Sequence, residues 1–81
     1  MEVNMIELYI LETCPYCKKV MNFFNDNCIE YIKNDITNPL FKAELIKLGG
    51  KEQVPFLYDT EKEITMYESN DIIDYAKSNF T

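Results

Sequence analysis

Two cysteines in the segment ETCPYCKKV, Cys14 and Cys17, are the residues best suited to chemistry. Pro15 and Tyr16 separate them, at the point where an apolar run gives way to lysines. A Cys-x-x-Cys pair can exchange disulfides, supply half of a metal site or fill a core. The chain has no histidine, which excludes Cys-His and Ser-His-Asp catalysis and every His-containing zinc site. Thiol–disulfide exchange needs no separate base, so we favour a redox pair.

The other interpretations of the pair stay open. A four-ligand zinc site needs two further ligands, and Cys28 is the only other cysteine. A cluster bridged between two chains would need an external thiol as an extra ligand. A passive pair of core cysteines leaves the intervening proline unexplained. Cys28 itself follows the letters NDN near the predicted end of the first helix, and we interpret it as a small apolar or half-exposed residue outside the chemistry.

The hydrophobic pattern predicts that a helix begins at Pro15, directly after a buried strand. The run MIELYIL is short and rich in aliphatic and aromatic residues, as buried strands are. Apolar side chains then recur at helical spacing: Cys17, Val20, Met21 and Phe24. Pro15 suits a first helical turn, because its missing N–H is no loss there. Cys14 then occupies the N-cap, where unpaired N–H groups and the helix dipole favour a thiolate.

The second cysteine is expected to differ from the first. Cys17 lies one turn further along the helix, on the side that faces the core, so its thiol should be less exposed but able to reach Cys14. This asymmetry suits an attacking sulfur and a resolving sulfur. Lys18 and Lys19 follow within the first turn, where they could support the same anion or simply remain in solvent.

The remaining segments predict the element order β-α-β-α-β-β-α. IEYIKND is typical of a strand. NPLFKAELIKLGG is typical of a helix, with Asn38 as its N-cap, Pro39 in its first turn and Gly49 or Gly50 as its end. PFLYD and EITMYE, joined by TEK, indicate an antiparallel hairpin. SNDIIDYAKSNF is typical of a final helix capped by Ser69. Strand–helix–strand favours a parallel crossover, so the sheet should be mixed.

The composition narrows the class of protein. Eighty-one residues, 47% of them hydrophobic, indicate one folded domain over residues 1–81. A net charge of −6 argues against nucleic-acid binding and against adhesion to anionic membranes. The N-terminal segment has no secretory leader pattern, and no apolar run approaches the roughly 20 residues of a membrane span. We expect a cytoplasmic monomer, in a compartment where structural disulfides are rare.

Three motifs in this order make the chain similar to the glutaredoxins. They are C-P-Y-C between a strand and a helix, EQVPFL, and YESNDIIDYAK. The second resembles the cis-proline segment of thioredoxin-fold proteins, and the third the glutamate–serine turn and final helix of the glutathione-transferase N-terminal domain. The likeness runs from Ile6 to Phe80 and is strongest to the N-terminal domain of the bacterial two-domain glutaredoxins. It implies an α/β thioredoxin fold, with a four-stranded mixed sheet flanked by helices.

The resemblance also implies roles for individual residues. Cys14 would be the nucleophile and Cys17 the resolving thiol. Tyr16 would line a glutathione groove, and Val54 would pair its backbone with the cysteinyl part of glutathione, ahead of a cis Pro55. A plainer interpretation of that proline, the start of an edge strand, stays open.

The two ends of glutathione would be held by different residues. Glu68 and Ser69 would bind the γ-glutamyl end, and Gln53 would reach the glycine carboxylate; Ser69 could also be only a helix cap, and Glu68 only a solvated strand end. Leu11 stands where many glutaredoxins carry a lysine.

The implied function is that of a dithiol glutaredoxin with glutathione as co-substrate and no metal. Its partners would be glutathionylated or disulfide-containing proteins, with ribonucleotide reductase as one candidate. One alternative is a thioredoxin-like electron donor that is recharged by a reductase without glutathione. Another is a non-enzymatic module that binds a thiol ligand, a partner's strand or an iron–sulfur cluster.

Overall fold

The computed structural model describes residues 6–80 and confirms the predicted order of elements. The strands and helices are β1 (Ile6–Ile10), α1 (Pro15–Asp26), β2 (Ile32–Asp35), α2 (Pro39–Gly49), β3 (Phe56–Asp59), β4 (Ile64–Met66) and α3 (Ser69–Phe80). The first predicted strand began at Met5, which lies outside the described residues. The second and fourth strands are shorter than their apolar segments suggested. Within residues 6–80, no helix has the length and apolar character to cross a membrane.

The four strands form one mixed sheet in the order β2-β1-β3-β4. β1 and β2 are parallel, whereas the β1–β3 and β3–β4 pairs are antiparallel. Tyr9 pairs with Phe56, and Leu57 pairs with Met66. The end of β1, the start of β3 and the end of β4 therefore lie at the same edge of the sheet. This topology is the predicted thioredoxin fold, and it gathers all three sequence motifs at that edge.

Alternate residues of β1 face two separate hydrophobic cores. Ile6, Leu8 and Ile10 are fully buried between the sheet and the α1–α3 pair. On the opposite face, Tyr9 packs with a smaller group beneath α2: Ile36, Leu45 and Phe56. Two helices, α1 and α3, thus pack on one face of the sheet and α2 packs on the other. The buried side chains of α1 fix it to the sheet: Cys17, Val20, Met21 and Phe24.

The ends of α2 follow the sequence rules, and the start of α3 does not. The Asn38 side chain accepts the Leu40 N–H at 2.9 Å, and Gly50 ends the helix in the left-handed region with φ 91°. Ser69 was predicted as the cap of α3 but is its first helical residue. The reason is that the Glu68 carbonyl accepts the first intrahelical bond, from the Ile72 N–H at 2.9 Å. Glu68 therefore occupies the N-cap position.

A buried carboxylate ties α3 to the turn after β3. Asp59 is 2% exposed; one of its oxygens accepts the Tyr75 hydroxyl at 2.6 Å, and the other accepts the Glu61 and Lys62 N–H groups. Burial, together with this bond to Asp59, raises the pKa of Tyr75. Burial beside Glu7 raises the pKa of Tyr9 to about 12.

The raised pKa values of Tyr9 and Tyr75 predict that the protein loses stability at alkaline pH. A raised phenol pKa means that the folded protein keeps a proton which the unfolded chain releases near pH 10. The free energy of unfolding should therefore be intact below about pH 10 and fall as the pH rises toward 12. Urea unfolding across this range measures the effect. Tyr75→Phe should make the decline shallower; an equally steep decline in that variant would contradict the assignment to Tyr75.

Candidate active site

Cys14 occupies the N-cap of α1, as the sequence predicts. Its backbone is extended (φ −80°, ψ 122°) and its side chain makes no capping hydrogen bond. Its N–H donates to the Leu11 carbonyl at 3.0 Å, and its carbonyl accepts the Lys18 N–H at 3.0 Å. The half-buried sulfur is therefore held at the amino end of a 12-residue helix. At this end of a helix the first backbone N–H groups have no intrahelical partner.

Cys17 is placed quite differently, one turn into α1. Its side chain is fully buried, and its sulfur accepts the Leu11 N–H at 3.5 Å. Burial is the main cause that raises the pKa of Cys17 to about 12; a hydrogen bond with Cys14 adds to it, while the Leu11 N–H acts in the opposite direction. The two thiols are thus in contact, and the inner one stays protonated at neutral pH. The predicted asymmetry in exposure is confirmed.

A cleft of about 370 Å³ opens at the edge of the sheet where the three motifs meet. Its lining includes all six residues that the sequence assigned to glutathione: Tyr16, Gln53, Val54, Pro55, Glu68 and Ser69. The Val54–Pro55 peptide bond is cis, as the resemblance implied. Cys14 and Val54 pack against the same core cluster, so the cysteine pair and the cleft are neighbours. The assignment of these residues to glutathione stays a prediction.

Two further residues line the cleft that the sequence did not single out, Tyr67 and Asn70. The Tyr67 hydroxyl donates to the Lys51 carbonyl at 2.8 Å and accepts the Lys51 N–H at 3.2 Å. Its ring packs on Phe56, with centroids 4.7 Å apart. Tyr67 therefore holds the loop that leads to the cis-proline. Its position next to Glu68 was the one signal in the sequence that could have identified it.

Polar side chains in the cleft and beside it contact one another. Gln53 donates to the Glu68 carboxylate at 3.5 Å, and the Lys19 ammonium donates to the Asn70 side chain at 2.8 Å. Lys19 therefore bridges α1 and α3. Its contact is with Asn70, whereas the sequence suggested the Cys14 sulfur or solvent.

The described residues outside the cleft do not form a second candidate active site. Within residues 6–80, no group of three or more Cys, Asp, Glu or His side chains is arranged to hold a metal ion. An open depression of about 760 Å³ includes Cys28 and the residues that lead into β2. Because β2 runs parallel to β1, this depression lies at the opposite end of the sheet from the cleft. Cys28 is exposed and stands in the left-handed region with φ 55°.

The difference between the thiols is open to a direct test by alkylation. In a Cys28→Ser protein at pH 8, iodoacetamide should modify Cys14 and leave Cys17 unmodified, because a buried thiol with a pKa of about 12 offers neither access nor thiolate. Mass spectrometry of the intact protein and of its peptides gives the count and the site. Two adducts formed at similar rates under native conditions would contradict the burial of Cys17. The urea-unfolded protein, in which both sites should react, is the control.

The comparisons place the chain in a family. Residues 8–81 match the family described as glutathione S-transferase, N-terminal domain. The chain therefore belongs to the glutathione S-transferase N-terminal domain family, with the thioredoxin fold described above.

Solved structures with the same fold include transferases and a glutaredoxin. Glutaredoxin 2 from Salmonella typhimurium, solved in complex with glutathione, is 30% identical, with a TM-score of 0.78 over 90% of this chain and 33% of its own. Glutathione transferase Omega 3C from Trametes versicolor is 22% identical, with a TM-score of 0.80 over 93% of this chain and 33% of its own. The chain spans about a third of the length of these proteins.

Proposed function

We propose that the protein is a glutathione-dependent thiol–disulfide oxidoreductase that works through Cys14 and Cys17. The observation that carries this proposal is the placement of Cys14 at the N-cap of α1, in contact with a buried second thiol. The neighbouring cleft adds a place for the rest of a small thiol ligand. The 30% identity to a glutaredoxin solved with glutathione supports the choice of ligand.

The reaction begins with the Cys14 thiolate attacking the glutathione sulfur of a mixed disulfide. The bond between that sulfur and the target protein breaks, a Cys14–glutathione disulfide forms, and the target leaves as a thiolate that takes a proton from water. A second glutathione thiolate then attacks the same glutathione sulfur. Cys14 leaves as a thiolate, and glutathione disulfide carries away the oxidation. In sum, one glutathione thiol is consumed for each protein thiol released, and the first glutathione, which entered as half of the mixed disulfide, leaves as half of glutathione disulfide.

Cys17 provides a second way to resolve a mixed disulfide on Cys14. When Cys14 forms a mixed disulfide with a protein partner, Cys17 attacks the Cys14 sulfur, loses its proton and releases the partner as a thiol. The Cys14–Cys17 disulfide is then reduced by two molecules of glutathione. Because Cys17 is buried, its reach is limited to Cys14, and it serves only this internal step.

The residues of the cleft would orient the ligand for the first attack. The Val54 backbone would pair with the cysteinyl part, and Tyr16, which is 64% exposed, would cover the ligand from α1. Glu68 offers a carboxylate to the γ-glutamyl ammonium. Ser69 begins α3, where free N–H groups bind anions such as the γ-glutamyl carboxylate.

A coupled assay tests the proposed function. The reduced protein is given a glutathionylated peptide, glutathione, NADPH and glutathione reductase, and the consumption of NADPH is followed. We expect turnover well above the uncatalysed exchange, with no added metal. The matched reaction replaces glutathione and its reductase with thioredoxin reductase. Activity only in this second mixture would replace the proposal with the thioredoxin-like alternative, and inactivity in both would contradict an oxidoreductase.

A further inference from the structure

We propose that two copies of the protein associate through β2, which pairs antiparallel with β2 of the second copy around a two-fold axis. The two four-stranded sheets then join into one continuous sheet. This inference concerns an interaction surface and does not depend on the proposed function. Such a dimer would replace the monomer expected from the sequence. It rests on the position of β2 in the sheet and on the order of side chains in the segment IKNDI, residues 32–36.

The outer side of β2 carries backbone groups that another strand can use. β2 is an edge strand of the sheet that the described residues form. The Ile36 N–H donates to the Ile10 carbonyl of β1 at 3.0 Å, so the backbone groups of Lys33 and Asp35, at odd spacing from Ile36, point away from β1. The Asp35 carbonyl accepts the Asn38 N–H at 3.1 Å and has a second lone pair. An edge of this kind is a template for a further strand.

The side chains of the segment alternate between the two faces of the sheet. Ile36 packs in the core cluster beneath α2, so Ile32 and Asn34 face the same way. Lys33 and Asp35 therefore lie on the face that α1 and α3 cover. Residues that stand opposite each other in an antiparallel pair share a face, which limits the registers that two copies of β2 can adopt.

One of these registers makes the segment complementary to itself. With Asn34 opposite Asn34 of the second copy, Lys33 stands opposite Asp35 of the second copy, and the two-fold axis repeats this pair. Ile32 then stands opposite Ile36. Because Lys33 and Asp35 carry the outward backbone groups, each such pair also exchanges two N–H···O bonds. Sliding the strands by two residues sets lysine opposite lysine or aspartate opposite aspartate, which is unfavourable.

The two charged side chains have local partners that leave capacity for this pairing. The Lys33 ammonium donates to the Glu12 carboxylate at 2.8 Å in an exposed ion pair, which contributes little to stability, and it has further donors. The Asp35 Oδ1 atom accepts both the Thr37 N–H and the Thr37 hydroxyl, and the carboxylate has a second oxygen. The charges of Lys33 and Asp35 cancel, so the net charge of −6 is carried outside the paired segment.

Exposed apolar side chains are concentrated on the face that α2 covers. Of the five large hydrophobic side chains that are exposed among the described residues, four lie on α2 or beside it on β2: Ile32, Leu40, Ile46 and Leu48. The two-fold axis brings both α2 helices to one face of the joined sheet. Each lies above a β1 strand, through Leu45 and Tyr9, and the two β1 strands would be three strand spacings, about 14 Å, apart. A helix with its side chains is about 10–12 Å wide, so the helices can lie side by side with Ile32 of both copies between them.

Sedimentation velocity of the protein under reducing conditions tests this inference. An interface built on one edge strand is small, so we expect a reversible dimer with a Kd of roughly 10–300 µM. Lys33→Asp and Asp35→Lys should each weaken self-association by roughly 10-fold or more, because like charges then face each other twice. An equal mixture of the two variants should associate again, since the segment is acidic in one and basic in the other. Lys62→Asp, the same charge change in the turn between β3 and β4, is the control and should associate like the wild type.

A second measurement locates the contact. In ¹⁵N NMR spectra, exchange of the Lys33 and Asp35 amide protons should slow as the wild-type concentration rises, and circular dichroism checks that each variant is folded. A wild type that stays monomeric at about 1 mM, well above the expected Kd, would overturn the inference. So would a dimer that both single variants retain, a mixture of the two that fails to associate, or a dimer whose Lys33 and Asp35 amides exchange as fast as in the monomer. The proposed function is independent of all these results.

Discussion

Replacing Cys14 by serine is expected to abolish every thiol–disulfide exchange. Cys17→Ser should abolish only the reduction of protein disulfides. A serine hydroxyl at the N-cap is not ionised at neutral pH and cannot form the mixed disulfide. Cys17 is fully buried with a pKa raised to about 12, so it is not an initial attacking group. Its serine replacement should leave the turnover of glutathione mixed disulfides within about 3-fold, because a second glutathione resolves them.

The same variant should fail with protein disulfides. Reduction of a protein disulfide leaves the partner attached to Cys14, and the internal thiol in contact with that sulfur resolves it far faster than a diffusing thiol does. Loss of this intramolecular step should lower the rate by roughly 100-fold, a modest part of what a well-oriented neighbouring group can contribute. Insulin reduction measures this activity beside the glutathionylated-peptide assay. Circular dichroism checks that the serine, which can still accept the Leu11 N–H, leaves the fold intact.

Cys28→Ser is the matched control for both cysteine variants. Cys28 is exposed and lies in a depression at the opposite end of the sheet, so both activities should remain at the wild-type level. Loss of both activities in Cys17→Ser would contradict the unequal roles of the two thiols. Residual catalysis in Cys14→Ser would move the nucleophile to another residue.

The position of the candidate site could be predicted from the sequence as far as strand pairing determines it. Cys14 follows β1, Pro55 precedes β3, and Glu68 follows β4; strand pairing alone brings these three chain segments to one edge. Helix periodicity was sufficient to assign Cys17 to the core and Cys14 to the N-cap. Such features depend on short segments whose pattern is visible in one sequence.

Contacts between side chains from distant segments could not be predicted in this way. A tyrosine after a strand indicates a core aromatic, and nothing nearby shows that the Tyr67 hydroxyl bonds both backbone groups of Lys51, 16 residues earlier. The contact between Gln53 and Glu68 likewise joins two segments whose relative position depends on the whole fold. The sequence therefore located the cleft but not the distribution of charge around it.

Gly49→Ala is expected to destabilise the protein, although the same change within a helix usually stabilises it by roughly 0.5–1 kcal/mol. A Cβ at Gly49 would lie against the Tyr67 hydroxyl, 2.6 Å from Tyr67 Cζ and 2.9 Å from Phe56 Cε1. The Tyr67 ring is fixed by Phe56 and by Lys51, so it cannot move without breaking contacts. Overpacking of this kind costs about 1–3 kcal/mol, and thermal unfolding should occur roughly 5–15 °C lower.

The variant should also weaken catalysis, because Tyr67 lines the cleft and holds the loop before Val54. We expect KM for glutathione mixed disulfides to rise more than kcat falls, since the Cys14 N-cap is not displaced.

Gly50→Ala is the control. Gly50 has a φ of 91°, and a methyl group added there would meet nothing within 4 Å. This variant should therefore lose about 1 kcal/mol of stability from left-handed strain without a change in KM. Combining Gly49→Ala with Tyr67→Ala should cost less stability than the sum of the two single changes, because the clash with the Tyr67 ring is then absent and only the contact with Phe56 remains. Additive losses would show that the cost of Gly49→Ala does not come from contact with Tyr67, and the steric account based on that ring would be wrong.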